Sequence, residues 1–330
     1  MDESGLGTST AEALSVAAET PVRGPAVDDL DGRHDLNGSI EQPTAAAADD
    51  DGVRRKQPLG LVFWLAAGFL IALVTAAIFA EVLPLRAPAE TFAGTSRNGP
   101  SLQFWFGNDG VGRDIFTRVI YGAQVSLMIA AIGSGLALLI GGMIGMAAGY
   151  YRGRIDRLIT TFTDGTLVIP PLILALSLIL FLDPDARRRI VILIVVFVLL
   201  SIAPIARVVR ASTLVWSERE FVLAAKTIGA RDGRIMFGEV LPNVAPALIS
   251  YSLIVMANLI VVEGAVAFLG LSVPPPTPTW GDMINKGRTD LTTSPHIALV
   301  PATVMFLTVL SLNFVGDKLQ ERFEPRESVL

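Results

Sequence analysis

The sequence contains no cysteine, which excludes disulfide bonds, thiolate metal ligands and cysteine nucleophiles. Its two histidines, His34 and His296, stand alone, so we expect no metal site. It also lacks a GxxxxGK[ST] phosphate-binding loop and a Ser/His/Asp arrangement. Charged residues make up 17% of the 330 residues and hydrophobic residues 52%. These percentages are typical of a membrane protein. The missing phosphate-binding loop predicts that this chain is not itself an ATPase.

The first 53 residues differ from the rest of the chain in charge and aromatic content. They contain twelve acidic and two basic residues (−10) and no aromatic residue. Such a segment buries too little apolar surface to offset the entropy of ordering, so we predict a disordered acidic tail in the cytoplasm. Its acidic start argues against a signal peptide. The tail is either dispensable or a regulatory or docking segment.

Six apolar segments are long enough, or nearly so, to cross a bilayer as helices of roughly 18–20 residues. They lie at about 58–82, 122–150, 160–182, 190–212, 240–263 and 296–316. The second is rich in glycine and alanine, and Pro170-Pro171 and Pro204 predict kinks in the third and fourth. Both features fit either plain bundle packing or helices that shift to open a path. We predict an all-α integral membrane protein with six transmembrane helices in residues 54–330.

The distribution of lysine and arginine predicts the orientation of these helices. With the N-terminus in the cytoplasm, the inside segments hold fifteen basic residues and the outside segments nine. An excess of basic residues on the cytoplasmic side is the usual pattern, and Arg54-Arg55-Lys56 directly before the first span supports it. Both chain termini are then cytoplasmic.

The segment Ser217–Asn243 lies between two spans and carries eight charges, too many to cross the membrane. Its first apolar positions recur at helical spacing: Phe221, Ala224, Ala225 and Ile228. Gly229 interrupts the pattern, and residues 235–237 resume it before Leu241-Pro242. We predict two short amphipathic helices joined by a glycine bend on the cytoplasmic side, a surface suited to a partner protein.

Ionisable residues are scarce within the spans, and Asp164 and Glu263 are the nearest to membrane depth. A carrier driven by protons or sodium ions usually holds acidic groups near the bilayer midplane. The scarcity therefore indicates that another subunit supplies the energy. Glu263 is expected to be a hydrated carboxylate at the outer end of its helix.

Several segments, each in its expected place, carry a resemblance to a known family. Leu223-Ala224-Ala225, Gly229 and Leu241-Pro242 are spaced as in the EAA coupling loop of bacterial ABC importer permeases. Further matching stretches are Gly110–Ala123, Gly149–Gly153, Phe268–Leu271, Pro275–Gly281 and Asn313–Asp317. Together they cover roughly residues 58–326 and resemble the C-type subunit of the dipeptide/oligopeptide/nickel permease family.

The resemblance implies a type I ABC importer permease fold in the bacterial inner membrane. It implies a coupling loop at 213–239 that fits into a cleft of an ATP-hydrolysing subunit. The residues implied in coupling are Glu220, Phe221, Leu223, Ala224, Ala225, Ile228, Gly229, Ala230, Leu241 and Pro242. Phe221, Ala224, Ala225 and Ile228 would form the apolar docking face. The family usually has glutamate at the position of Leu223, so docking here is expected to depend more on apolar contact.

The resemblance also implies the partners of this chain. These are a second, B-type permease, two ATP-binding subunits that carry ATP and magnesium, an extracytoplasmic solute-binding protein and membrane lipid, with no nucleic acid. Trp280, Gly281 and Asp282, in a proline-rich external loop, are expected either to face the binding protein or to pack over the bundle.

Other functions remain open at this point. One is an autonomous secondary carrier, against which the scarcity of intramembrane charge counts. Another is an ABC importer permease for nickel or a haem-like cargo rather than peptides. A third is a membrane scaffold or intramembrane enzyme, which the missing catalytic arrangement disfavours.

Overall fold

The computed structural model describes residues 59–183 and 185–323, and these residues are mostly helical. The described residues contain no strand, only an isolated bridge between Asn108 and Asp114. Their α-helices are α1 Gly60–Ile78, α2 Ile115–Tyr151, α3 Gly153–Val168, α4 Pro171–Leu182, α5 Arg189–Ser217, α6 Glu220–Thr227, α7 Asp232–Ile235, α8 Leu241–Phe268, α9 Trp280–Gly287 and α10 His296–Phe323. The prediction of an all-α membrane protein is confirmed. The acidic tail predicted at 1–53 lies outside the described residues.

Five helical segments are long and apolar enough to cross a membrane: α1, α2, α5, Asp232–Phe268 and α10. The pair α3 and α4 passes the same test only when taken together, with a bend of 90° between them. If the pair is one crossing, the described residues provide six, which is the predicted number.

The third predicted span is broken rather than kinked. Residues 160–182 were expected to form one helix, but α3 ends at Val168 and α4 begins at Pro171. A proline disfavours the helical conformation of the residue before it, and two consecutive prolines impose this on both Ile169 and Pro170. Both are extended, with ψ of 124° and 126°. Because α4 has only 12 residues and is about 18 Å long, it is too short to cross the bilayer alone.

Two other helices depart from the predicted boundaries for local reasons. Helix α2 begins at Ile115 rather than near residue 122, because Asp114 caps it by accepting a hydrogen bond from the Thr117 amide at 3.1 Å. Helix α5 continues without interruption through Pro204 and extends to Ser217. The Asp114 cap thus starts α2 earlier than its apolar window, and α5 tolerates Pro204 in its interior.

Among the described residues, helices α2 and α5 form the most extensive contact between two helices. Gly141, Gly145 and Gly149 of α2 recur every four residues and lie directly against the backbone of α5. A Cβ atom at Gly145 would lie 2.8 Å from Cβ of Val209, and closer still to the Ala206 carbonyl. Small residues at this spacing let two backbones approach closely, which favours helix association in a membrane.

Gly145→Ala is expected to destabilise the protein by about 1–3 kcal/mol, because the added methyl group cannot fit without moving α5. The midpoint of thermal unfolding of the purified protein should fall accordingly. Gly142→Ala is the matched control, since a Cβ atom there would meet nothing within 4 Å. Alanine is the better helix former, so the control should be neutral or slightly stabilising. Equal midpoints for the two variants would contradict the packing described here.

Candidate functional site

The connection between α5 and α8 consists of two short helices and a glycine turn. Helix α6 ends in a Schellman arrangement, in which Ala230 N donates to Ala225 O and Gly229 N to Lys226 O, both at 3.0 Å. This turn requires a left-handed residue, and Gly229 adopts it with φ of +83°. Helix α7 follows, and a π-helical turn at Met236–Val240 leads into α8. The predicted pair of short helices with a glycine bend is present. Residues 213–217, predicted as the start of the loop, lie in α5, so we call residues 218–239 the coupling loop.

The inner face of the coupling loop is firmly attached to the bundle. Val222 and Ile235 are fully buried in the hydrophobic core. The hydroxyl of Tyr150, at the end of α2, donates to Asp232 Oδ1 at 2.9 Å. The ammonium group of Lys226 lies 5.0 Å from the centre of the same tyrosine ring. These contacts attach α6 and α7 to the end of α2.

The outer face of the coupling loop is apolar and exposed. Ile228 is 86% exposed and Leu223 52%, and Phe221 and Ala224 are exposed beside them. Ala225 was expected on this docking face, but it turns inward and packs against the core. It follows Ala224 by one residue, which rotates it about 100° around the helix toward the side of Val222.

The remaining residues predicted for coupling lie at the edges of this surface. Glu220, Gly229 and Pro242 are exposed, whereas Ala230 and Leu241 are half-buried and pack against the core. They fix the position of the loop more than they extend its exposed face.

The opposite end of α8 carries the proline-rich segment that was expected either to face the binding protein or to pack over the bundle. Trp280 is fully buried, and Gly281 and Asp282 are also buried, so these side chains are not available for contact with another protein. Their burial has a clear cause, because α9 lies tightly on α8. A Cβ atom at Gly281 would be 2.6 Å from Cβ of Ala267. Of this segment, Pro274–Pro276 are exposed.

Glu263 is not the hydrated carboxylate that its position in the sequence suggested. It is 1% exposed and lies between α2, α8 and the segment leading to α9. Its Oε1 accepts a hydrogen bond from the Ser272 hydroxyl at 3.1 Å, and its Oε2 from Ser126 at 3.4 Å. Ser126 and Ser272 were not identified from the sequence, because serines in an apolar helix or a loop give no distinct pattern.

A cavity of about 320 Å³ lies at the same end of the bundle, between residues 97–118 and the α9–α10 region. Four basic side chains line it, and each lies within ion-pair distance of an aspartate: Arg97–Asp290, Arg113–Asp109, Arg118–Asp109 and Lys286–Asp282. Arg118 is 2% exposed and also donates to the Pro88 carbonyl at 2.9 Å. These pairs compensate much of the charge at the cavity. Arg97–Asp290 connects the α1–α2 segment to the turn between α9 and α10.

A known protein family matches more than half of the chain. A family model described as "Binding-protein-dependent transport system inner membrane component" matches residues 141–329, which include the coupling loop. The chain belongs to this family: it is the membrane permease subunit of a binding-protein-dependent ABC importer.

Similar proteins support this assignment. "Glutathione transport system permease protein GsiD" from Escherichia coli O6:K15:H31 (strain 536 / UPEC) is 38% identical over 262 residues, 79% of this chain and 85% of the relative. The protein of the same name from Shigella boydii serotype 4 (strain Sb227) gives the same values. Among solved structures, a chain of the MetNI methionine ABC transporter in an inward-facing form is similar in fold, with a TM-score of 0.52 at 16% identity. That match covers 64% of this chain and 98% of the other.

Removing the link between α2 and α7 should loosen one half of the coupling loop. In Tyr150→Phe the hydrogen bond to Asp232 is lost while the ring beneath Lys226 remains. A single hydrogen bond contributes about 0.5–1.5 kcal/mol, so amide hydrogen exchange in residues 232–240 should accelerate about two- to tenfold. Tyr151→Phe, at the exposed neighbouring tyrosine, is the control. Unchanged exchange in Tyr150→Phe would show that the hydrogen bond does not hold the loop.

Proposed function

We propose that the coupling loop docks on an ATP-hydrolysing subunit through the exposed face formed by Phe221, Leu223, Ala224 and Ile228. The observation that supports this most is the 86% exposure of Ile228 on a loop whose other face is buried. Together with exposed Phe221, Leu223 and Ala224, Ile228 forms an apolar surface of several side chains, which is typical of a protein contact. Because Leu223 is also exposed, docking depends on apolar area where relatives usually have a glutamate.

The loop is continuous with α5 and α8 and contacts α2, so its movement reaches three helices of the bundle. We propose that two ATPase subunits, which bind ATP and magnesium, close around ATP and displace the loop as a unit. The bundle, paired with a second permease of the B type, then changes between inward- and outward-facing arrangements. In this arrangement both chain termini are cytoplasmic, and a binding protein delivers the cargo from the other side.

We propose small peptides as the transported substrate. The support is the 38% identity to permeases named for glutathione transport, since glutathione is a small peptide. Uptake of labelled glutathione and of dipeptides by cells with and without this subunit would test the substrate class. Uptake that is the same in both would contradict it.

Gly229→Pro is expected to abolish uptake and to release the ATPase subunits, while the protein still inserts into the membrane. Proline fixes φ near −65°, whereas Gly229 has φ of +83° and donates a hydrogen bond to Lys226 O. The measurement is co-purification of the ATPase subunits together with uptake. Gly229→Asn is the matched control, because asparagine tolerates the left-handed region and should keep most of the activity. Normal uptake in Gly229→Pro would refute the proposed role of the loop.

The absence of cysteine allows a direct test of orientation and docking. In the permease pair without ATPase subunits, a membrane-impermeant maleimide should label Leu102→Cys from outside intact cells and Ile228→Cys only in inverted vesicles. Both parent side chains are highly exposed, at 100% and 86%. Adding the ATPase subunits should protect Ile228→Cys and leave Leu102→Cys unchanged. Labelling of Ile228→Cys in intact cells would reverse the proposed orientation.

A further inference from the structure

The carboxylate of Glu263 connects three parts of the chain at the end of α8 remote from the coupling loop. Its own helix is α8, Ser126 belongs to α2, and Ser272 belongs to the segment that leads into α9. The backbone of Gly281, in α9, lies against the same carboxylate. The Glu263 side chain, which belongs to α8, thus contacts α2, α9 and the segment that leads into α9.

Several further hydrogen bonds converge on the same point. Ser126 Oγ also accepts from the Trp280 amide at 3.3 Å, and the Trp280 indole N–H donates to the Val119 carbonyl of α2 at 3.0 Å. Ser272 and Thr279 share a hydrogen bond of 3.0 Å between their hydroxyls, and Thr279 caps α9. We call Ser126, Glu263, Ser272, Thr279 and Trp280 the α9 clamp.

Packing alone does not explain a carboxylate at this buried position. Removing such a group from water costs several kcal/mol unless hydrogen bonds compensate, and an apolar side chain of similar size would avoid that cost. The carboxylate can orient the segments around it, because its two oxygens accept hydrogen bonds from two different segments. The clamp therefore fixes how α9 is placed on α2 and α8.

The clamp and the coupling loop lie at opposite ends of α8. Helix α8 has 28 residues and is about 42 Å long, so it spans the membrane from the coupling loop to the clamp. Asn285 of α9 also donates to the Ala267 carbonyl near the end of α8, at 3.0 Å. A displacement of α8 at the coupling loop therefore moves α9 and the exposed Pro274–Pro276 with it, provided that the clamp is intact.

We propose that Glu263 is a positioning residue that fastens α9 to α2 and α8, so that the outer surface at Pro274–Pro276 moves together with the ATPase-docking end of α8. This inference rests on the proposed function, because it needs the coupling loop to dock on the ATPase. Coupling between two sites is reciprocal. Binding at the outer surface therefore alters ATP hydrolysis through the same clamp.

The test is ATP hydrolysis by the complete transporter in lipid nanodiscs, with and without the system's own binding protein, purified with the cargo that it retains. In Glu263→Ala and Ser126→Ala the ratio of stimulated to basal hydrolysis should fall about fivefold or more, with the basal rate unchanged. In Glu263→Gln the ratio should remain close to that of the wild type, since the amide oxygen can accept from Ser126 and from the Gly281 backbone N–H while its nitrogen donates to Ser272.

The control is Ser134→Ala, at a second buried serine of α2, whose hydroxyl donates to the Ala131 carbonyl of its own helix. It should leave both rates unchanged. A wild-type ratio in Glu263→Ala and Ser126→Ala would overturn the proposal, and so would a parallel loss of basal and stimulated rates in both variants. The second result would mean that the clamp only maintains the fold. If the wild-type permease pair fails to retain its ATPase subunits, the proposed function itself fails, independently of the clamp.

Discussion

The close contact between α2 and α5 is the constraint on which the rest of the bundle depends. Within a membrane, helices gain little from hiding apolar surface, because lipid is as apolar as their side chains. Gly141, Gly145 and Gly149 let the two backbones meet directly and gain dispersion energy instead. The same contact sets the end of α2 beside the end of α5, where Tyr150 reaches the coupling loop.

The two ends of the bundle differ: one carries the coupling loop and the other carries α9. At one end, buried Val222 and Ile235 hold the coupling loop, and its other face presents Leu223 and Ile228. At the other end, a cluster of buried polar groups around Glu263 secures α9. Helix α8 connects these ends, so the arrangement suits a permease that must relate events on the two sides of the membrane.

Much of the fold could be predicted from the sequence, because long apolar helices and a charged interruption leave simple patterns. The glycine bend at Gly229 and the spacing of Phe221, Ala224 and Ile228 predicted the coupling loop and its exposed face. Errors arose where a side chain's surroundings come from distant parts of the chain. Ala225 turns inward toward the bundle, and Trp280 is buried by α2, whose Val119 lies 161 positions away.

The sequence by itself determined the membrane class and the family, since these follow from hydropathy and from motifs within short segments. Only the tertiary structure decided that the Pro170-Pro171 break turns the chain by 90° and that Glu263 is buried rather than hydrated. The reason is physical. Hydropathy depends on the local chain, whereas the hydrogen-bond partners of a carboxylate depend on which helices meet around it. Ser126 and Glu263 are 137 residues apart, and only the packing of α2 against α8 brings them together.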